Sequence, residues 1–131
     1  MPGAAAKPQL DLYTGVEALL KPYEKKMSAR RGLVSKKRDY HLYTGRPMEY
    51  LGHKHSDVCF ASVVEQKKYV GFYFMPIYMN DPLKNQLPAS LLKLLKGKAC
   101  FHITELTPQL KADIAEALRA GFSFYKKMNW V

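Results

Sequence analysis

The chain has 131 residues, of which 21 are lysine or arginine and 11 are aspartate or glutamate, so its formal charge at neutral pH is +10. This length suits one domain, and a composition of 47% hydrophobic and 24% charged residues excludes a disordered chain. We expect residues 1–11 to form a flexible tail and residues 12–131 to form a single domain. The positive charge is concentrated, because residues 21–38 contain eight basic residues and one acid, Glu24, which makes this segment +7.

The cysteines and the apolar runs indicate the cellular compartment of the protein. Cys59 and Cys100 lie in apolar stretches with no Cys-x-x-Cys pair, which is typical of a reduced, intracellular protein. Residues 1–10 lack the charged and apolar regions of a secretory signal. The longest apolar run, residues 69–79, is interrupted by a glycine and a proline and is too short to span a membrane. We therefore expect a cytoplasmic protein.

The first third of the chain has helical periodicity. Apolar residues at helical spacing predict a short helix that ends near Pro22, where a second helix begins. In residues 22–37, Tyr23, Met27 and Val34 fall on one narrow stripe, which predicts a basic helix. The basic residues of this region form a predicted basic patch: Lys25, Lys26, Arg30, Arg31, Lys36, Lys37 and Arg38.

The middle of the chain has strand signals separated by turn residues. We predict strands at residues 40–43, 47–51, 57–64 and 69–79. Connections this short force antiparallel neighbours, so these strands form a meander.

Helical signals return in the last third. Residues 88–96 predict a short helix, residues 99–104 a fifth strand, and residues from 107 onward a long amphipathic helix. The predicted fold class is α+β: an antiparallel meander sheet of about five strands, flanked by N-terminal helices, a short helix before the last strand and a long C-terminal helix.

The fourth predicted strand has aromatic residues on both faces. Val70, Phe72 and Phe74 point one way, so its other face holds further apolar and aromatic side chains that one helical layer does not cover. Half-buried aromatic residues suit a ligand surface or a dimer face. We predict a ligand face formed by Tyr50, Tyr69, Tyr73 and Met75.

Four stretches resemble the YdhG-like domain family, a bacterial domain of unknown function: VEALLKPY at 16–23, YVGFYFMP at 69–76, GKACFHI at 97–103, and residues 106–131 with their Ala-x-x-x-Gly-Phe-x-x-Tyr-Lys-Lys ending. The resemblance spans residues 12–131 and implies an α+β fold, a cytosolic bacterial protein and no established catalytic residues. Some members are described as frataxin-like iron chaperones. This chain departs from that description, because its first helical region offers only Asp11, Glu17 and Glu24 before the +7 segment, which would repel a cation.

Metal-ligand spacing occurs once, where His53, His55, Asp57 and Cys59 alternate. Alternate residues share one face of a strand, but four of them spread over roughly 20 Å and cannot all reach one ion. His53, His55 and Asp57 are the only candidate ligands. We expect no metal site and no cofactor.

The sequence contains no motif of an enzyme active site. It lacks a Gly-x-Ser-x-Gly elbow, a phosphate-binding glycine loop and paired carboxylates. Cys100 has His102 nearby, but alternate side chains of a strand lie about 6 to 7 Å apart, outside hydrogen-bond reach. We expect no enzymatic activity.

These observations favour a binding or accessory module that uses the aromatic face and the adjacent basic helix to recognise an anionic ligand or an acidic protein partner. A first alternative is non-specific nucleic-acid binding through residues 21–38. A second is the frataxin-like metal chaperone that the resemblance implies. A homodimer through the aromatic face is a further alternative.

Overall fold

Six consecutive strands follow the N-terminal helical segments, and three short helical segments and two more strands precede the long C-terminal helix. The structure of the protein is a computed structural model that describes residues 11–131, so all of the predicted tail except Asp11 lies outside the described residues. The helices are α1 (Leu12–Leu20), α2 (Met75–Met79), α3 (Ala89–Leu92) and α4 (Pro108–Lys127), with 3-10 helices at Lys21–Lys26 and Asp81–Gln86. The strands are β1 (Ser28–Arg30), β2 (Asp39–Tyr43), β3 (Met48–Tyr50), β4 (His53–His55), β5 (Cys59–Glu65), β6 (Val70–Phe74), β7 (Leu95–Lys96) and β8 (Cys100–Ile103).

Six of the strands form one sheet in the order β1-β2-β5-β6-β8-β7, and every neighbouring pair is antiparallel. The chain leaves this sheet between β2 and β5 to form the separate β3–β4 hairpin. The predicted α+β fold, with an antiparallel sheet and a long C-terminal helix, is confirmed. The two edge strands, β1 and β7, lie in segments where the sequence predicted helices.

The predicted basic helix at residues 22–37 is wrong. The segment contains a 3-10 helix, the edge strand β1 and a loop over residues 31–38. Gly32 and Lys36 have φ angles of +74° and +63° in this loop, which a right-handed helix does not allow. Tyr23 packs against Phe60 and Phe122 from the 3-10 helix, with ring centroids 5.7 and 5.4 Å apart. Its burial therefore does not require a long helix.

Two other predicted boundaries change. The strand predicted at residues 69–79 stops at Phe74, because α2 begins at Met75 and has a proline in its first turn. The helix predicted at residues 88–96 is reduced to α3, and the chain then enters β7. Gly97 adopts a φ angle of +76° in the turn that connects β7 to β8.

One face of the main sheet forms the core together with the helices. α4 contacts α1, α2 and α3, so all four helices lie together on this inner side. The buried side chains of the inner face are Tyr40, Leu42, Phe60, Ala61, Val63, Val70, Phe72, Phe74, Phe101 and Ile103. The alternate residues of the same strands form an outer face, on which none of these helices packs. Among the described residues, no helix combines the length and the apolar character that crossing a bilayer requires.

α4 approaches the sheet most closely at Gly121. A Cβ atom at this position would lie 2.5 Å from Cζ of Phe74 and 2.8 Å from Cγ of Pro76. Phe74 is fully buried, so its ring has little room to move. The glycine therefore permits the close packing of α4 against β6 and α2.

We expect Gly121→Ala to lower the free energy of unfolding by about 1–2 kcal/mol, because overpacking costs about 1–3 kcal/mol and exceeds the gain of roughly 1 kcal/mol in helix propensity. Urea denaturation measures this change. Ser123→Ala, at an exposed position of the same helix, is the control and should change the free energy by less than about 0.5 kcal/mol. Stabilisation by Gly121→Ala would contradict the close approach.

Candidate functional site

A concave surface lies between the β3–β4 hairpin, α2 and the turn that connects β7 to β8. This hairpin groove has a volume of about 510 Å³. Its lining residues are Tyr50, Leu51, Ile77, Tyr78, Asp81, Lys84, Gly97 and Lys98. Leu51 and Tyr78 are 78% and 59% exposed, so the groove offers apolar and aromatic surface to solvent. Lys84 forms an ion pair of 2.9 Å with Asp81, which leaves Lys98 as an additional positive charge at the groove.

A smaller cavity of about 210 Å³ adjoins the hairpin groove, since Tyr50 and Tyr78 line both. We call it the methionine cavity, because three methionines are among its lining residues: Met48, Met75 and Met79, with Tyr50, His55, Asp57, Val58 and Tyr78. Methionine side chains are flexible and polarizable, so they adapt to apolar groups of different shape. The two cavities together can hold a molecule with an apolar part and a charged part.

The hairpin is held in place by contacts at both of its sides. The hydroxyl of Tyr50 donates a hydrogen bond of 2.9 Å to the carbonyl of Met79. The ring of Tyr50 meets the buried ring of Trp130 edge to face at a centroid distance of 5.9 Å. Arg46, in the loop that precedes β3, donates from Nε to the carbonyl of Trp130 at 3.1 Å. These contacts tie the hairpin to α2 and to the C-terminal residues, and so hold one wall of the groove in place.

The four residues of the predicted ligand face lie in two places. Met75 and Tyr50 line the methionine cavity together. Tyr69 instead stacks on His102 at 3.8 Å, and Tyr73 lies across Gly71, where a Cβ atom would be 2.9 Å from Cε1 of the tyrosine ring. Met75 is separated from Tyr69 and Tyr73 because β6 ends at Phe74 and α2 begins at Met75.

The candidate metal ligands lie on β4 and in the residues that follow it. His53 and His55 are exposed on β4, opposite Tyr50 and Met48. Asp57 lines the methionine cavity together with His55 and accepts a hydrogen bond from the Arg30 guanidinium. Within residues 11–131, no group of three histidine, cysteine or acidic side chains is arranged to hold a metal ion.

The three arginines of the basic patch are engaged with carboxylates. Arg30 pairs with Asp57, Arg31 pairs with Glu17 at 2.8 Å, and Arg38 pairs with both Asp11 and Glu65 at 2.5 Å. Each guanidinium also lies over a tyrosine ring, at 4.0 to 4.6 Å from the centroid: Tyr43, Tyr40 and Tyr13, respectively. The exposed lysines of the patch are Lys25, Lys26, Lys36 and Lys37. The +7 of this segment is therefore partly neutralised within the folded protein.

A second cluster lies on the outer face of the main sheet, where Asp39 and His41 of β2 face Ser62 of β5. We call these three residues the polar chain. Nε2 of His41 lies 2.7 Å from Oδ2 of Asp39, and Nδ1 of His41 lies 2.7 Å from Oγ of Ser62. All three side chains are buried. Buried polar groups of this kind are stable when every hydrogen-bonding atom finds a partner.

The carboxylate of Asp39 has further partners in the loop over residues 31–38. It accepts hydrogen bonds from the backbone N–H groups of Gly32, Leu33 and Val34 at 2.7 to 3.1 Å. Burial raises the pKa of Asp39, but the His41 hydrogen bond and the three N–H groups outweigh burial and hold the pKa below its usual value. Asp39 therefore stays ionised at neutral pH.

The two cysteines are not activated thiols. Burial raises the pKa of Cys59 and the pKa of Cys100 above the usual value, so both remain protonated at neutral pH. Cys59 Sγ lies 3.4 Å from Oγ of Ser62 and thus extends the polar chain by one weak contact.

Sequence reasoning missed the polar chain, and the predicted ligand face did not include Tyr78, which lines the groove. The Asp39-x-His41 spacing is visible in the sequence, but only strand pairing shows that Ser62 is the direct neighbour of His41. Comparison of the chain with models of protein families, with curated proteins and with solved structures finds no match. The resemblance to YdhG-like domains therefore stays a prediction based on the four stretches that carry it.

Replacing Asp39 should destabilise the protein in a pH-dependent way. We expect Asp39→Asn to lower the free energy of unfolding at pH 7 by about 1–3 kcal/mol, because the partly buried N–H groups of the loop and His41 lose their ionised acceptor. The pKa of Asp39 is lower in the folded protein than in the unfolded chain, so this stabilisation is present above the unfolded pKa of about 3.9 and is lost as pH falls through the folded pKa.

Urea denaturation of the wild type and of Asp39→Asn at a series of pH values tests this expectation. The difference between the two proteins should shrink as the pH falls below about 4. Asp81→Asn, at an exposed carboxylate on the 3-10 helix, is the matched control and should show little difference at any pH. A difference that stays constant down to pH 2 would contradict the assignment.

Proposed function

We propose that the protein is a binding module for a small anionic molecule with an aromatic or apolar part, which occupies the hairpin groove. The observation that supports this proposal is the groove itself, whose volume of about 510 Å³ falls in the range of about 300–1,000 Å³ that is usual for small-molecule sites. The methionine cavity beside it provides additional apolar space.

The chemistry of the lining residues favours this class of ligand. Tyr50 and Tyr78 provide aromatic surface next to Met75 and Met79, so an apolar or aromatic group can pack between them. Lys98 and the Lys84–Asp81 pair also line the groove, which leaves it one net positive charge. An anionic group there gains an attractive partner without the cost of burying a charge deeply.

The charge of the whole protein supports the same class. A formal charge of +10 attracts small anions from solution. The arginines of the basic patch pair with carboxylates of the protein, and Lys98, like the lysines of the patch, has no ion pair among residues 11–131. Lys98 differs from the patch lysines in lining the groove beside Tyr50 and Tyr78. We therefore place the anion-recognising charge in the groove rather than on the basic patch.

The ion 2-naphthoate is a suitable probe, because it joins an aromatic ring system to a carboxylate. Titration into the ¹⁵N-labelled protein should shift backbone resonances of residues 50–51, 77–84 and 97–98. Lys98→Glu should weaken binding by about three- to tenfold, since reversing a partly exposed charge costs on the order of 1 kcal/mol. Tyr78→Ser should also weaken binding through lost aromatic contact.

Two controls are available in exposed parts of the chain. Lys127→Glu makes the same charge change at the end of α4, and Leu33→Ser removes an exposed apolar residue in the loop over residues 31–38. Neither should change the affinity for 2-naphthoate by more than about twofold. Naphthalene-2-carboxamide, which lacks the charge, should bind more weakly. The proposal fails if 2-naphthoate shifts no groove resonance, or if Lys98→Glu and Lys127→Glu have equal effects.

A further inference from the structure

The polar chain has the arrangement of an acyl-transfer site, and we propose that Ser62 is a nucleophile that accepts a small acyl group from a short-chain carboxylic ester. His41 is the general base of this site, and Asp39 is its positioning residue. The inference is independent of the hairpin groove, because none of the three residues lines it.

The hydrogen bonds determine which nitrogen of His41 carries the proton. Ionised Asp39 can only accept hydrogen bonds, so its 2.7 Å contact with Nε2 requires a proton on Nε2. In neutral His41, Nδ1 then has a free lone pair and accepts the hydroxyl proton of Ser62 at 2.7 Å. This is the tautomer that a general base needs in order to take a proton from a serine.

The surroundings hold the three groups rigidly. Asp39 and His41 are alternate residues of β2, and Ser62 lies directly opposite His41 on β5. The three backbone N–H groups from residues 32–34 orient the carboxylate of Asp39. The protonated thiol of Cys59 can donate a weak hydrogen bond to Oγ of Ser62, which leaves the proton of Ser62 directed at His41.

The proposed reaction has two steps, acylation of Ser62 and hydrolysis of the resulting acyl ester. Oγ of Ser62 attacks the ester carbonyl carbon while its proton moves to Nδ1 of His41. The bond between the carbonyl carbon and the leaving alkoxy oxygen breaks, and His41 returns the proton to that oxygen, so an alcohol and an acyl ester of Ser62 result. Water then attacks the acyl ester with His41 as base, which releases a carboxylic acid and restores Ser62.

Access to the polar chain restricts the substrate. Ser62 and His41 are 5% and 8% exposed, on a sheet face that no helix of residues 11–131 covers. Arg30 and Tyr73 are their cross-strand neighbours on the same face. Because so little of Ser62 or His41 reaches solvent, we expect short-chain esters to react and long-chain esters to be excluded.

Methanesulfonyl fluoride is the test reagent, because it is small and modifies an activated serine with loss of fluoride. Incubation of the 131-residue protein followed by peptide mass spectrometry should find the sulfonyl group on Ser62. Ser90 is the internal control, since its hydroxyl donates to the buried carboxylate of Asp113 but contacts no histidine among the described residues. Ser90 should remain unmodified although it is more exposed than Ser62.

Variants separate activation from folding. His41→Gln should slow modification of Ser62 by on the order of 10²-fold, which is the usual contribution of a general base. Asp39→Asn should also slow modification while the circular dichroism spectrum and the binding of 2-naphthoate stay as in the wild type, a pattern that a purely structural role would not produce. Asp113→Asn, which disturbs the other buried carboxylate, should leave the rate at Ser62 unchanged.

Two results would overturn the inference. One is folded wild-type protein in which Ser62 stays unmodified, and the other is modification of Ser62 at the wild-type rate in His41→Gln. Hydrolysis of p-nitrophenyl acetate gives a second readout, which should be lost in Ser62→Ala. Because naphthoate binding and serine modification are measured separately, failure of one proposal leaves the other intact.

Discussion

The basic segment and the outer face of the sheet both depend on the hydrogen bonds that the carboxylate of Asp39 accepts. It accepts three backbone N–H groups from the loop over residues 31–38 and one hydrogen bond from His41. An ionised acceptor with several donors is among the strongest hydrogen-bonded arrangements in proteins. Asp39 holds that loop against the start of β2, the strand that pairs with β1. It also orients His41 toward Ser62. One side chain thus connects the basic loop, an edge of the sheet and the polar chain.

The hairpin groove has a different origin, which is the departure of the chain from the main sheet. Between β2 and β5 the chain forms the β3–β4 hairpin, and the hairpin is fastened to the helical side through Tyr50 and its contacts with Met79 and Trp130. β6 ends at Phe74, and α2 turns its residues toward the hairpin. The space between hairpin and helix is therefore enclosed by segments that are distant in sequence. Apolar and charged residues meet there, as they commonly do in small-molecule sites.

Much of the fold follows from the local pattern of apolar residues, and each wrong prediction has a physical explanation. α4 was predictable because its apolar residues keep one face for five turns after Thr107, whose hydroxyl caps the helix at the N–H of Leu110. The prediction of a basic helix failed because Tyr23, Met27 and Val34 have helical spacing. In the folded chain, Asp39 instead binds backbone N–H groups of the loop, and β1 pairs with β2. The rule that alternate strand side chains lie out of hydrogen-bond reach also failed for Asp39 and His41, since the imidazole is long enough to bridge the gap.

The sequence by itself determined the fold class, the long C-terminal helix, the apolar strands of the sheet centre and the concentration of positive charge in residues 21–38, because periodicity and composition are local properties. Only the tertiary structure decided which charges remain available, since Arg30, Arg31 and Arg38 meet their acidic partners across long sequence separations. It also decided that Met75 and Tyr50 share a cavity, and that Ser62 faces His41, because strand register is a property of the assembled sheet. Side chains can act together only where the fold brings their atoms within a few ångströms.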